Sequence, residues 1–234
     1  MAFSHGFSPH PKVSWVGAAP TGAASEAEYV EIQVTTEVRP ESLRSAVDAA
    51  LPPGLDVLEV VVAAGGSLPE RIDGSRWRLE LPGVGAAELE PAVAALLAAD
   101  TVEVERLTKD GRRTMDVRPA VVALRVKPDE TGVLGAESGS PTADGTTPGS
   151  TCGILDLVVR QTTPAVRPDD VLSALRVVAA LMLPVPAKAT RTAQGRLDDE
   201  GHLADPLAPD RGPVSEPVSR EPEPGQHAVE RPAG

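Results

Sequence analysis

Arg76-Trp77-Arg78-Leu79-Glu80-Leu81, followed a few residues later by Leu89, Val93, Leu96 and Leu97, is the stretch that decides how this chain is read. Trp77, Leu79 and Leu81 recur at every second position, which places them on one face of a strand. The second set has the spacing of one helix face, and Pro91 falls in its first turns, where proline is tolerated. Downstream, residues 101–107 and 114–126 read as strands around Lys109-Asp110-Gly111, and Asp-Gly between strands is a hairpin signal. Residues 128–150 are poor in large apolar groups and read as a flexible hairpin loop or insertion. Residues 152–160 are a run of consecutive apolar residues, the pattern of a central strand. Arg167-Pro168-Asp169-Asp170 opens a helix carrying Val171, Leu172, Leu175 and Val178, which Pro184 and Pro186 end. Residues 187–193 read as a last edge strand. The order β-α-β-β-β-α-β contains the ferredoxin-like β-α-β-β-α-β order plus one extra hairpin strand.

Upstream of this stretch the same pattern is incomplete. Residues 12–16 read as a short strand and 17–27 as a small-residue loop. In residues 28–36, Val30, Ile32 and Val34 alternate with Tyr29, Glu31 and Gln33, which predicts a strand with one buried face. Pro40 suits a first helical turn, and Leu43, Val47, Ala50 and Leu51 follow at helical spacing. Pro52-Pro53-Gly54 stops that helix, and the Val-rich residues 55–63 read as another strand. The expected fold is therefore α+β, with two ferredoxin-like units in tandem. The first unit, residues 1–64, lacks an opening strand and helix. Residues 65–74 connect it to the second unit, residues 75–193. Residues 194–234 are acidic, Pro-rich and poor in large apolar groups, the composition of a disordered tail.

Composition narrows the function classes. The formal net charge of -12 argues against a protein coated in nucleic acid but leaves room for a local basic face. The single cysteine, Cys152, excludes a disulfide framework, a cysteine zinc site or an iron–sulfur cluster within one chain. Cys152 heads an apolar strand and reads as an inert thiol. No stretch approaches the roughly 18 apolar residues that span a bilayer. With no apolar N-terminal run, the expectation is a cytoplasmic protein without a membrane partner.

Two stretches could carry chemistry. The first, Ser4-His5-Gly6-Phe7-Ser8-Pro9-His10-Pro11-Lys12-Val13-Ser14-Trp15, offers two imidazoles and an ammonium on a proline-braced loop. His5, Phe7, His10 and Lys12 are candidates for binding an anionic substrate or RNA, or the histidines simply satisfy backbone groups of a structured loop. No carboxylate lies in this stretch to complete a facial triad, so no metal site is expected. The second, residues 106–119, carries Arg106, Lys109, Arg112, Arg113 and Arg118 against Asp110 and Asp116. It reads either as a basic hairpin that contacts phosphate or as a solvated hairpin with an Asp116–Arg118 pair capping the sheet. Arg191 adds a further basic candidate. Glu26 and Glu28 read as a charged strand entry rather than as an acid–base pair. The phosphate-loop, dinucleotide-binding, zinc-protease and nucleophile-elbow signatures are all absent, and no catalytic residue is assigned.

Gly6 to Trp15, G-F-S-P-H-P-K-V-S-W, with A-S-E-A-E-Y-V-E-I at 24–32, resembles the signature of a bacterial domain of unknown function, the radical-SAM-linked conserved hypothetical family. T-K-D-G-R-R-T-M-D-V-R-P at 108–119 is similar to its second block. A-T-R-T-A-Q-G at 189–195 looks like a degenerate third block, with Thr190 where a histidine usually precedes the arginine. Members start earlier, with a strand and a helix before the first motif, so the resemblance implies an N-terminally shortened copy. They are encoded beside, or fused to, a radical SAM protein. The resemblance thus implies an accessory or substrate-binding subunit without cofactors of its own. The iron–sulfur cluster and S-adenosylmethionine would sit on the partner. RNA binding or processing is the alternative.

Overall fold

The computed structural model describes residues 1–5, 8–109, 111–128 and 151–211. The fold is α+β. Strand β1 (Val13–Val16) leads through the two-residue β2 (Ala24–Ser25) to β3 (Tyr29–Ile32), and β1 and β3 pair antiparallel. The strand forms over Tyr29–Ile32, but neither face is fully buried: Ile32 and Val34 are half-buried on the predicted face, and Tyr29 is half-buried on the other. Tyr29 joins Val16, Leu68, Ile72 and Leu207 in a small apolar cluster, while Val30 is 39% exposed. Val30 stands opposite Trp15, and Val13 opposite Ile32, so these four share the uncovered face of a two-stranded ribbon.

Helix α1 (Pro40–Asp48) forms as its spacing predicts, with Pro40 in the first turn, but it contains no fully buried residue. Residues 55–63, predicted as a strand, are not one: they run without a ladder partner. Their β-branched composition favours an extended path, and a strand exists only where an adjacent edge completes its hydrogen bonds. Residues 65–74, predicted as a connector, instead contribute to packing. A 3-10 turn at Leu68–Arg71 brings Leu68 and Ile72 into the small cluster.

β4 (Gly74–Pro82) is the predicted strand, with Trp77, Leu79 and Leu81 at 4%, 0% and 1% exposure. Helix α2 (Ala86–Ala98) follows, its first turn closed by the Glu88 carboxylate accepting from the Gly85 N–H at 3.1 Å. Leu89, Ala92, Val93 and Leu96 face the core. β5 (Glu103–Thr108) and β6 (Gly111–Asp116) form a hairpin that is a sheet of its own. The single strand predicted over 114–126 is broken. A 3-10 turn at Arg118–Ala120 divides β6 from β7 (Val121–Lys127), because Pro119 cannot donate to a ladder.

β8 (Cys152–Arg160) lies between β4 and β7, which accounts for its continuous apolar run. Helix α3 (Pro168–Ala179) opens as the Arg-Pro-Asp-Asp signal predicts: the Asp170 carboxylate accepts from the Arg167 N–H at 2.7 Å. It ends at Ala180, in the left-handed region, before the two prolines are reached. β9 (Lys188–Leu197) is longer than predicted and is not an edge strand. It pairs with β4 on one side; on the other it carries β2, in parallel, and β10 (Leu203–Ala204).

The main sheet therefore runs β10-β9-β4-β8-β7, and each of these neighbouring pairs is antiparallel. Helices α2 and α3 pack against each other and cover one face of it, enclosing Leu79, Leu89, Leu96, Leu155, Leu157 and Leu175 at 0% exposure. Each such leucine contributes roughly 1.5–3 kcal/mol through burial. The predicted disordered tail starts too early. Residues 194–197 belong to β9, and residues 203–211 fold back on residues 55–71, because Asp210 and Arg211 find their ionic partners Arg71 and Glu59 there. Residues 212–234 and most of the predicted loop, 129–150, lie outside the described residues.

Candidate functional site

Of the residues singled out in the sequence, Arg191, Arg118, Asp116 and Arg106 are drawn into the fold's own bonding. The guanidinium of Arg191, at 4% exposure, lies 5.5 Å over the Trp77 ring. It donates to the Ser25 hydroxyl at 3.2 Å, to the Gly17 carbonyl at 2.5 Å and to the Glu28 carboxylate. Gln194, also 4% exposed, donates to the Ala27 carbonyl at 2.6 Å. Gly17 has φ +57, and a Cβ there would stand 2.9 Å from the Gln194 side-chain oxygen, so only glycine fits. Arg191 thus fastens residues 17–28 to the main sheet.

Arg118 closes helix α2: its side-chain nitrogens donate to the carbonyls of Leu97, Ala99 and Val121 at 3.2, 3.1 and 3.0 Å. The Asp116 carboxylate accepts from the backbone N–H groups of Val102 and Arg118 at 2.8 and 3.0 Å. The pairing expected between the Asp116 and Arg118 side chains is not what holds this turn. Arg106, on β5, is tied to Asp170 at the start of α3 and to the Ala165 carbonyl. That bond docks the hairpin on the helix layer.

The remaining candidates are on the surface. His5, His10 and Lys12 are exposed on a loop closed by Ser4, whose N–H donates to the His10 carbonyl and whose hydroxyl accepts from the His10 N–H. Phe7 lies outside the described residues. Beside this loop Phe3, bridged to Pro11, and Trp15, on β1, are 53% and 58% exposed. Lys109, Arg112 and Arg113 sit at the exposed hairpin tip. Arg112 pairs with Glu105 at 2.9 Å, and Arg113 makes no ion pair among the described residues.

The described structure brings together a different set, on the sheet face that the helices leave open. The residues alternating with Trp77, Leu79 and Leu81 are Arg76, Arg78 and Glu80. In register with Arg78 across the sheet stand Asp156 on β8 and Arg125 on β7; in register with Glu80 stand Lys188 on β9 and Ile154 on β8, with Lys127 beyond it on β7. Asp156 accepts from Arg76 Nε at 3.0 Å and lies 3.8 Å from Lys127 Nζ. Arg78 Nε donates to Glu80 at 3.3 Å. Two shallow depressions lie on this face, floored by Ile154 in one and Val158 in the other, and the turn bearing Glu200 and His202 forms one rim. Ile154 and Val158 are 5% and 2% exposed.

Among the described residues, five cations thus surround Asp156 and Glu80, with Glu200 at the rim, on this face of a chain whose formal charge is -12. The signal was present in the sequence as the other half of the alternation in residues 76–81. What the sequence could not show is that β7, β8 and β9 add their own polar positions to the same rows.

Asp198, Glu200 and His202 also approach one another closely enough to share an ion, but all three are exposed. His202 Nδ1 is 3.2 Å from Asp198, whose carboxyl is held below its ordinary pKa, chiefly by the His202 backbone N–H. Among the described residues no helix is long and apolar enough to cross a membrane.

The family described as "Uncharacterized protein conserved in bacteria (DUF2344)" matches residues 1–168. No curated protein and no solved structure matches the chain. The chain belongs to this family.

Proposed function

We propose that this member of the uncharacterized bacterial DUF2344 family is an accessory or substrate-binding subunit that works with a separate radical SAM enzyme. The partner would carry the iron–sulfur cluster and S-adenosylmethionine, since one cysteine cannot hold such a cluster. The observation that carries the reading is the uncovered apolar face of β1 and β3. Trp15 at 58%, Val30 at 39% and Val13 at 36% exposure share one face of the ribbon beside the loop of His5, His10 and Lys12, and Phe3, bridged to Pro11 in that loop, is 53% exposed. An exposed apolar strand face that includes a tryptophan is the surface expected of a protein-docking site. The resemblance of the opening motif to radical-SAM-linked proteins supplies the class of partner.

The finer fold reading follows the same division. The order β9-β4-β8-β7, with α2 and α3 on one face, supports a ferredoxin-like second unit. The succession β1, β3, α1 and residues 55–63 parallels β7, β8, α3 and β9, which supports a related first unit.

Tagged wild-type chain and a Trp15→Ser variant, each expressed in the native host, test the docking reading. A radical SAM protein recovered with the wild type and lost with the variant is the expected result. Undiminished recovery with the variant, or no radical SAM protein with either, refutes it. RNA binding is the second reading, favoured by the exposed cations of the hairpin tip, with Arg113 unpaired among the described residues.

A further inference from the structure

We infer that the open face of the main sheet is an RNA-binding surface, on which Arg76, Arg125, Lys127 and Lys188 follow the phosphates of a single strand. This deepens the second reading above by giving the RNA a place other than the hairpin, and it does not depend on the docking face.

The first argument is charge. Among the described residues this face carries a positive excess, Glu200 at its rim included, while the whole chain is strongly acidic, so cations are concentrated here rather than spread evenly. Arg125 and Lys188 are exposed and make no ion pair among the described residues. Arg76 and Lys127 are both directed at one carboxylate, Asp156, whose side chain is only 13% exposed. An anionic ligand would replace Asp156 as their partner.

The second argument is shape. The cations do not converge on one point. Arg78 and Arg125 stand on either side of β8, two strand spacings or about 10 Å apart. Lys188 and Lys127 lie at opposite ends of the next row. A single phosphate cannot reach such a spread, whereas a chain of phosphates can. Thr190 and Thr192, on β9, add hydroxyls at the margin. Among the described residues no aromatic ring points from this face, because Trp77 is on the core side. Base stacking is therefore missing, and recognition rests on the backbone and tolerates sequence changes.

The test uses the full chain and a short fluorescein-labelled RNA of mixed sequence, read by fluorescence anisotropy over a salt series. Arg125→Gln with Lys127→Gln removes two exposed cations without touching the core, so thermal unfolding should stay in place. If both meet phosphates, the slope of log affinity against log salt falls by about 1.4 and low-salt affinity drops about tenfold or more. Asp156→Asn should move affinity the other way, tightening it several-fold, because it removes the competing carboxylate. No binding by the wild type at low salt overturns the inference. So does binding that the double variant leaves unchanged, or loss confined to a Lys109→Gln, Arg112→Gln, Arg113→Gln variant, which would place the RNA on the hairpin. Equal binding of polyglutamate would overturn it in favour of an acidic polypeptide.

Discussion

Replacing Arg191 by alanine should detach the N-terminal segment from the main sheet. In the native fold the guanidinium satisfies Gly17, Ser25 and Glu28 at once and covers one side of Trp77. Removing it leaves the Gly17 carbonyl and the partly buried Glu28 carboxylate without their donor, and opens a space beside Trp77. Breaking a buried pair from one side costs about 3–5 kcal/mol. Glu28 is 26% exposed and can recover some solvation, so the lower end, about 3 kcal/mol, is the expected cost. For a chain of this size that lowers the unfolding midpoint by roughly 6–12 °C. Urea unfolding followed by tryptophan fluorescence measures it directly, since Trp77 lies under the guanidinium. Arg191→Lys should recover only part of the loss, because an ammonium cannot reach three acceptors in different directions. A loss below about 1 kcal/mol in the alanine variant would refute the view that this arginine is structural and return it to the list of ligand-binding candidates.

The other expectations are more local. Arg118→Ala should cost about 1–2 kcal/mol by leaving the last carbonyls of α2 without donors, and hydrogen exchange should localise the loss to the end of that helix. Gly195→Ala should open the contact between β9 and β10, because the new Cβ would stand 1.9 Å from the Ala204 carbonyl oxygen; a stability unchanged from wild type would show that residues 203–204 do not pair there. Acid should release residues 55–64 before the main sheet. Glu59 and Asp210 are held below their ordinary pKa values by side-chain hydrogen bonds from Arg211 and Arg71. A depressed folded pKa gives stabilisation that is complete above the unfolded value and fades as pH falls through the folded one, here below roughly pH 4. The Ala64 N–H, bonded to Asp210 at 2.9 Å, should lose exchange protection there while β4 and β8 keep theirs. Simultaneous loss would show that the two regions unfold as one.

The sequence by itself determined the second half of this protein in considerable detail. Trp77, Leu79 and Leu81 at period two, Leu89, Val93 and Leu96 at helical period, and the unbroken run of β8 are local signals, and burial in one core agrees with each of them. The α+β class followed from their order. Tertiary structure decided the rest, for reasons of partnership. Residues 55–63 have strand composition and no strand, because a strand needs an edge to bond with. Val30 and Ile32 form the apolar stripe of β3, yet Tyr29 is the side chain the small cluster takes in, because Leu68, Ile72 and Leu207 lie on its side. Residues 194–211 are polar and would not order alone, but Gln194, Asp210 and Arg211 each meet a partner distant in sequence. Basic residues tell the same story. Their number was plain, but whether a guanidinium binds the fold's own carbonyls, as in Arg118 and Arg191, or stands over an open sheet, as in Arg76 and Arg125, depends on which backbone or carboxylate the fold brings within reach.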